Sequence, residues 1–184
     1  CSTIELATLI KKKYNTESIA HLTCVNSTRE DIDRIIVQLE ENGIENVLAL
    51  RGDINPDHPP KEDFRHASEL IEYMKQHSSL NFSGACYPEC HCEAPDMITD
   101  ILNLKKKVDA GAEHLISQLF FDNERFYEFR EKARIAGINV PIEAGIMPCV
   151  NAKQINRMVS MCGASLPPKF ARMINRYGNN DEAM

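Results

Sequence analysis

The sequence predicts an α/β domain built on a parallel sheet, and three observations carry that prediction. Three segments run from a helical pattern through glycine into an apolar strand: Leu39-Glu-Glu-Asn-Gly43-Ile-Glu-Asn-Val-Leu-Ala-Leu50, Val108-Asp-Ala-Gly111-Ala-Glu-His-Leu-Ile-Ser117 and Ala133-Arg-Ile-Ala-Gly137-Ile-Asn-Val-Pro-Ile142. Glycine just past a helix accepts the left-handed conformation that satisfies the last carbonyls, so each marks a helix stop. The runs that follow, over 47–50, 114–121 and 140–146, are mostly apolar on both faces, the pattern of strands sandwiched between layers. The intervening helices repeat at the helical period, most cleanly in the stripe Ile32, Ile35, Ile36 and Leu39.

Taken in order, these signals predict helices over 3–14, 28–42, 62–77, 95–110, 123–136, 152–162 and 168–177, with strands over 18–24, 46–51, 81–86, 114–121 and 141–147. Ser27 with Glu30, and Asn151 with Gln154, have capping-box spacing at two helix starts. Strict alternation of strands and helices fits parallel pairing with right-handed crossovers. An open doubly wound sheet and a closed (β/α)8 TIM-type barrel both satisfy it. A complete barrel takes roughly 250 residues. This chain has 184, opens at Cys1 and starts directly in a helical pattern. The expectation is one domain over 1–184, the central part of a barrel lacking the first strands and the last strand.

Composition narrows the class. At 43% hydrophobic residues the chain can bury a substantial core, and no run approaches the roughly 18 apolar residues that span a membrane. A soluble protein is expected. The net charge of −6 argues against nucleic acid as a partner, and Lys11-Lys-Lys13 and Lys105-Lys-Lys107 read as solvated helix faces. Seven cysteines, several in or beside predicted strands, do not resemble a secreted disulfide framework, so the cytoplasm is the expected compartment. Cys86, Cys90, His91 and Cys92 suggest a metal or thiol site. Ligands at adjacent positions converge poorly on one tetrahedral ion, and no second ligand pair accompanies them, so no metal is expected.

Polar residues gather where the predicted strands end: His21 and Thr23, then Arg51-Gly52-Asp53, then Tyr87, Glu89 and His91, then Gln118 and Asp122. Alternating strand/helix folds place ligand chemistry at the carboxyl ends of their strands. Polar groups inside apolar strands are costly unless paired, so the set points to a ligand site.

Five ordered stretches then carry a family resemblance. His21-Leu-Thr-Cys24, Leu48-Ala-Leu-Arg-Gly-Asp53, Tyr87-Pro-Glu-Cys-His91, Leu102-Asn-Leu-Lys-Lys-Lys-Val-Asp-Ala-Gly111 and Gln118-Leu-Phe-Phe-Asp122 resemble the successive motifs of the methylenetetrahydrofolate reductase family. The resemblance implies a barrel flavoprotein that binds FAD non-covalently without a glycine-rich dinucleotide fingerprint, which is absent from this sequence. It implies ping-pong hydride transfer from NADH or NADPH, through FAD, to 5,10-methylenetetrahydrofolate, giving 5-methyltetrahydrofolate. A homo-oligomer acting on small molecules is expected.

Carried over position by position, the implied FAD contacts are His21, Arg51, Gly52, Asp53, Ala67, Tyr87, His91, Ala94, Asp100, Asn103, Lys106 and Lys107. Lys106 and Lys107 follow Asn103 at helical spacing and can meet a diphosphate, while Asp100 and Asn103 suit sugar hydroxyls. Asp53 and Gln118 are the implied catalytic pair: the carboxylate would tune the flavin and orient the folate, and the amide would meet folate and nicotinamide in turn. Gln154 and Met158 match further substrate positions, with Met158 standing where many relatives carry a phenylalanine. A thioether fills that space without stacking as a ring does. The resemblance also places the family's general-acid glutamate on a strand upstream of Cys1, so these residues alone are expected to be inactive, and Glu89 is expected to hold its own turn rather than replace that acid. A noncatalytic flavin- or folate-binding module is the alternative.

Overall fold

The structure, a computed structural model, describes residues 3–54, 56–57, 59–148 and 151–178. The elements alternate as expected: α1 (Thr3–Tyr14), β1 (Ile19–Thr23), α2 (Arg29–Glu41), β2 (Asn46–Leu50), α3 (Ala67–His77), β3 (Asn81–Cys86), α4 (Met97–Ala110), β4 (Ala112–Ser117), α5 (Asn123–Ile135), β5 (Ile142–Glu143), α6 (Ala152–Cys162) and α7 (Pro168–Tyr177). The strands form one sheet in the order β1-β2-β3-β4-β5. A doubly wound sheet reverses its order at a switch point, whereas a barrel adds each strand beside the last. The unbroken order is that of an incomplete β/α barrel.

The chain divides into two compact units, Cys1–Ala85 with Lys106–Leu115, and Cys86–Lys105 with Ile116–Met184. In the first, β1 and β2 pair in parallel with His21 opposite Leu48 and Thr23 opposite Leu50. Val47, Leu48 and Ala49 are all buried, as a strand covered on both faces requires. The stripe predicted on α2 faces this core: Ile32, Ile36 and Leu39 are buried, and Ile35 packs against them partly covered. Phe64, Leu70, Ile71 and Met74 close it from the α3 side. In the second unit, Phe129, Ala133 and Ile155 are deeply buried. Among the described residues no helix is long and apolar enough to cross a membrane.

The helix stops behave as predicted, with Gly43, Gly111 and Gly137 at φ of 67°, 123° and 79°. Several boundaries differ. The capping box of α2 is shifted by one residue: the Asp31 N–H donates to Thr28 Oγ1 and the Thr28 N–H to Asp31 Oδ2, while Ser27 donates instead to the Thr23 carbonyl. Helix α3 starts at Ala67, not 62, because the Glu69 carboxylate accepts from the Arg65 and His66 N–H groups and closes the helix there. Strand β4 stops at Ser117, short of the expected 121, since the Gln118 side chain captures the Leu119 N–H that would continue the ladder. Strand β5 keeps two of the residues expected over 141–147. Pro141 lacks an N–H, and Gly145 lies so close to the Ser117 carbonyl that a Cβ would sit 2.1 Å from its oxygen.

The shifted box gives a direct check. Thr28→Ala should lower stability to urea by about 1 kcal/mol, whereas Ser27→Ala should cost clearly less. Equal losses would return the cap to Ser27.

Candidate functional site

In the first unit the strand-end turn after β2 is fixed by backbone bonds that continue past the ladder. The Cys24 N–H reaches the Leu50 and Arg51 carbonyls at 3.1 and 3.2 Å, and the Val25 N–H donates to the Arg51 carbonyl at 2.8 Å. Gly52 sits at φ 87° with its α-carbon hard against β1. A Cβ there would lie 3.0 Å from Thr23 Cβ and 3.3 Å from Val25 Cγ1. The turn therefore needs glycine for both conformation and space, and it holds Arg51 and Asp53 on either side of the seated residue. Arg51 Nε donates to the Gly52 carbonyl at 3.1 Å. Asp53 and His21 are exposed, and Ala67 is buried as the first residue of α3.

Lys107 belongs to the same unit. Its ammonium donates to the Ala85 carbonyl at 2.8 Å, and its stem lies over Gly84, 3.6 Å from the place of a Cβ. One of its three donors therefore satisfies a strand-end carbonyl, a task that sequence spacing did not reveal. Lys106, on the adjoining position of α4, is exposed.

The second unit carries the turn that follows β3. The Cys90 N–H closes it onto the Tyr87 carbonyl at 3.2 Å, with Cys90 at a φ of 76° that costs a residue other than glycine of order 1 kcal/mol or more. The geometry is held by neighbours: the His91 N–H donates to Asp100 Oδ2 at 3.0 Å, and the Ala94 N–H to the His91 carbonyl at 2.9 Å. His91 Nδ1 accepts from the Glu93 N–H at 3.1 Å, which leaves Nε2 as the donor of the neutral ring. The Tyr87 and His91 rings meet edge to face at 4.5 Å. Asp96 starts α4 by accepting from the Thr99 N–H at 2.7 Å, and that bond holds its carboxyl below the usual range. Asn103, two turns past Asp96, is exposed.

Gln118 follows β4, its N–H donating to the Cys86 carbonyl at 2.7 Å and its Oε1 accepting from the Leu119 N–H at 2.8 Å. The amide is thus oriented, with its NH2 donors directed away from the backbone bond. Gln154 donates its backbone N–H to Asn151 Oδ1 at 2.8 Å, the predicted half of the cap. Met158, half-buried, lies one turn along α6. Within this unit the structure gives Glu89 a role that the sequence did not resolve: both of its carboxylate oxygens accept the Ser165 N–H at 3.0 Å. Seventy-six residues separate the pair, so no local pattern could have signalled it.

In the Cys90-His91-Cys92 stretch the Cys90 thiol is poorly suited to act as a nucleophile. Burial, with Asp100 and Asp96 nearby, pushes the Cys90 thiol above its ordinary value, which disfavours the nucleophilic thiolate. Among the described residues no group of three or more His, Cys, Asp or Glu is placed to hold a metal ion.

The chain has relatives among known proteins. The chain matches the family described as Methylenetetrahydrofolate reductase over residues 1–184. It is 38% identical over 173 residues to 5,10-methylenetetrahydrofolate reductase of Salmonella typhimurium, covering 94% of this chain and 58% of that protein. It is 39% identical to the Escherichia coli protein of the same name, covering 95% of this chain and 57% of the relative. Methylenetetrahydrofolate reductase (NADH) 1 of Arabidopsis thaliana is 36% identical, with 99% of this chain matching 33% of its length. The chain therefore spans little more than half the length of the bacterial relatives. Among solved structures, 2,3-dimethylmalate lyase aligns with a TM-score of 0.55 at 13% identity, covering 98% of this chain and 68% of that one. That likeness concerns the fold alone.

The raised Cys90 thiol generates a labelling prediction. At pH 8 the native protein should alkylate Cys90 severalfold more slowly than the unfolded chain does, read by peptide mass spectrometry. The difference should narrow as pH rises and the thiolate forms. Faster labelling in the native state would contradict the assigned environment.

Proposed function

We propose that the protein reduces 5,10-methylenetetrahydrofolate to 5-methyltetrahydrofolate, because this chain belongs to the methylenetetrahydrofolate reductase family. The match along the whole chain carries this reading, and the chemistry of the strand-end residues supports it. When bound, non-covalent FAD supplies the hydride relay between NADH or NADPH and the folate, one substrate leaving before the next enters. The donor set suits such a group. In the first unit Arg51 and Lys106 supply cations for a diphosphate, with Lys107 next to Lys106 in the chain, and Gly52 seats the turn that presents Arg51 and Asp53. In the second, Tyr87 and His91 offer ring surface and the Nε2–H donor. Asp100 and Asn103 match hydroxyl groups there, and the small side chain of Ala94 leaves room beside them.

The remaining roles follow from the substrates. Asp53 directs an exposed carboxylate past the end of β2, where it can accept from the amino and ring N–H donors of a pterin and disfavour further negative charge close by. Gln118, its carbonyl oriented by the Leu119 N–H, offers amide donors to folate and nicotinamide alternately. Gln154 and Met158, one turn apart on α6, provide a polar and an apolar contact to the folate. Glu89 is committed to Ser165 and takes no acid role here. The reading includes a cytoplasmic homo-oligomer with small-molecule partners; the net charge of −6 argues against nucleic acid as a partner.

The test uses the protein expressed from its full reading frame. It should be yellow, bleach anaerobically with NADH or NADPH, and recover its colour with methylenetetrahydrofolate. Asp53→Asn should slow the folate half-reaction about 100-fold, and Gln118→Ala should raise KM for both substrates roughly tenfold. A yellow protein that binds folate without recolouring would establish the noncatalytic module instead. A folded, colourless protein that takes up no flavin would overturn the reductase reading.

A further inference from the structure

The turn over 87–94 carries chemistry that the reductase reading leaves unused: a thiol on each side of His91. Among the described cysteines, Cys24 and Cys86 are buried, Cys90 and Cys162 are half-buried, and Cys92 alone is exposed. Two residues apart, Cys90 and Cys92 have α-carbons no more than about 7 Å from each other, at the edge of the span that a disulfide bridges. The Cys90 side chain is turned toward its neighbour. Its Sγ donates to the His91 carbonyl at 3.6 Å, the carbonyl of the peptide that leads into Cys92, and Cys92 lies close enough to oppose ionisation of Cys90. Among the described residues no group of three or more His, Cys, Asp or Glu is placed to hold a metal ion, so the chemistry open to the pair is oxidation.

The residue between the two thiols gives the pair its consequence. The His91 N–H donates to Asp100 Oδ2 at 3.0 Å, its carbonyl accepts the Ala94 N–H at 2.9 Å as well as the Cys90 thiol, and its ring accepts the Glu93 N–H at 3.1 Å. Cys90 itself is held at a φ of 76°, a conformation that persists only while its neighbours enforce it. A ring closed through Cys90 and Cys92 removes the thiol donor and constrains both peptide groups of His91 at once. We propose that Cys90 and Cys92 form a reversible disulfide around His91, a redox site that weakens the hold of this turn on the cofactor. The effect on FAD rests on the reading above; the disulfide itself does not.

The step is thiol–disulfide exchange with a small-molecule disulfide, oxidised glutathione. The thiolate of the exposed Cys92 attacks one glutathione sulfur, forming a mixed disulfide and releasing the other half as a thiolate. Cys90 then gives up its proton and its sulfur displaces the bound glutathione. Two protein thiols are oxidised, one oxidised glutathione is reduced to two thiols, and the two protons end on those thiols. Burial and the nearby carboxylates of Asp100 and Asp96 keep Cys90 protonated, which makes it a poor partner for reagents in solution. Its own step is intramolecular, and the high effective concentration inside one turn offsets a low thiolate fraction. A transient pair of this kind is the form that redox-sensing thiols take in a reducing compartment.

The experiment equilibrates the protein from its full reading frame in glutathione buffers running from reducing to oxidising, quenches with acid and alkylates the remaining thiols. A glutamate-specific protease cuts after Glu89 and Glu93 and releases Cys90–Glu93 apart from Cys86. From the oxidising buffer this peptide should be unalkylated and lighter by the mass of the two thiol hydrogens, and dithiothreitol should return it to the doubly alkylated form. The Kd for FAD should rise about tenfold on oxidation, as loss of one charge-assisted hydrogen bond at the turn would give, and recover on reduction. Cys92→Ser should bind FAD as the unmodified protein does and ignore the buffer, while Cys90→Ser should accumulate glutathione on Cys92. A peptide that stays alkylated, or carries glutathione without the internal disulfide, overturns the proposal. So does a Kd that is unchanged in the oxidised protein or rises equally in Cys92→Ser. A reduced protein that takes up no FAD overturns the cofactor reading and the coupling with it, and the peptide mass alone then decides whether the disulfide forms.

Discussion

Backbone groups just past the end of a parallel strand have no ladder partner, and leaving them buried and unpaired is costly. This protein meets that constraint with short bonds from neighbouring strand ends and from a helix side chain. The Val25 N–H takes the Arg51 carbonyl, the Gln118 N–H takes the Cys86 carbonyl, and Lys107 takes the Ala85 carbonyl. Each bond also fixes a residue assigned to the site or adjoining one. The groups proposed to meet cofactor and substrate are therefore positioned by the same interactions that let the strands stop.

Within each unit the supporting contacts are of two kinds. Gly52 in the first and Gly145 in the second permit close approach, the former against Thr23 and the latter against the Ser117 carbonyl. Side-chain acceptors then orient the turns: Asp100 holds the His91 N–H, and Glu89 holds the Ser165 N–H. A carboxylate spent on backbone donors is a positioning group, which explains how a glutamate beside the candidate site can be essential to its form without supplying a proton. The same distinction separates Cys90, whose backbone makes the turn and whose thiol is held protonated, from a reactive cysteine.

The sequence was legible where local chemistry decides the structure. Glycine at 43, 111 and 137 marks the helix stops because only the chain's own carbonyls are involved, and the Ile32-Ile36-Leu39 stripe finds the core because its period is intrinsic to the helix. It misled by one residue at the start of α2, where Ser27 and Thr28 both have the chemistry of a cap and the choice depends on which carboxylate swings back. It overran β4 and β5 because hydrophobic runs do not record that Gln118 or Gly145 diverts the backbone. The helix expected from 62 starts at Ala67 because Glu69 caps it, a decision made by one side chain rather than by periodicity. Long-range pairings such as Glu89 with Ser165 had no local signal at all. The cofactor and substrate assignments came from ordered motifs.

The central claim is the proposal that the strand-end turns over 51–53, in the first unit, and 87–94, in the second, each meet the cofactor. Hydrogen exchange on the protein from its full reading frame, with and without FAD, tests it most directly. The account predicts slowed exchange at the amides of Gly52 and Asp53 and across Cys90 to Ala94. FAD binding that protects other segments while both turns exchange unchanged would contradict it.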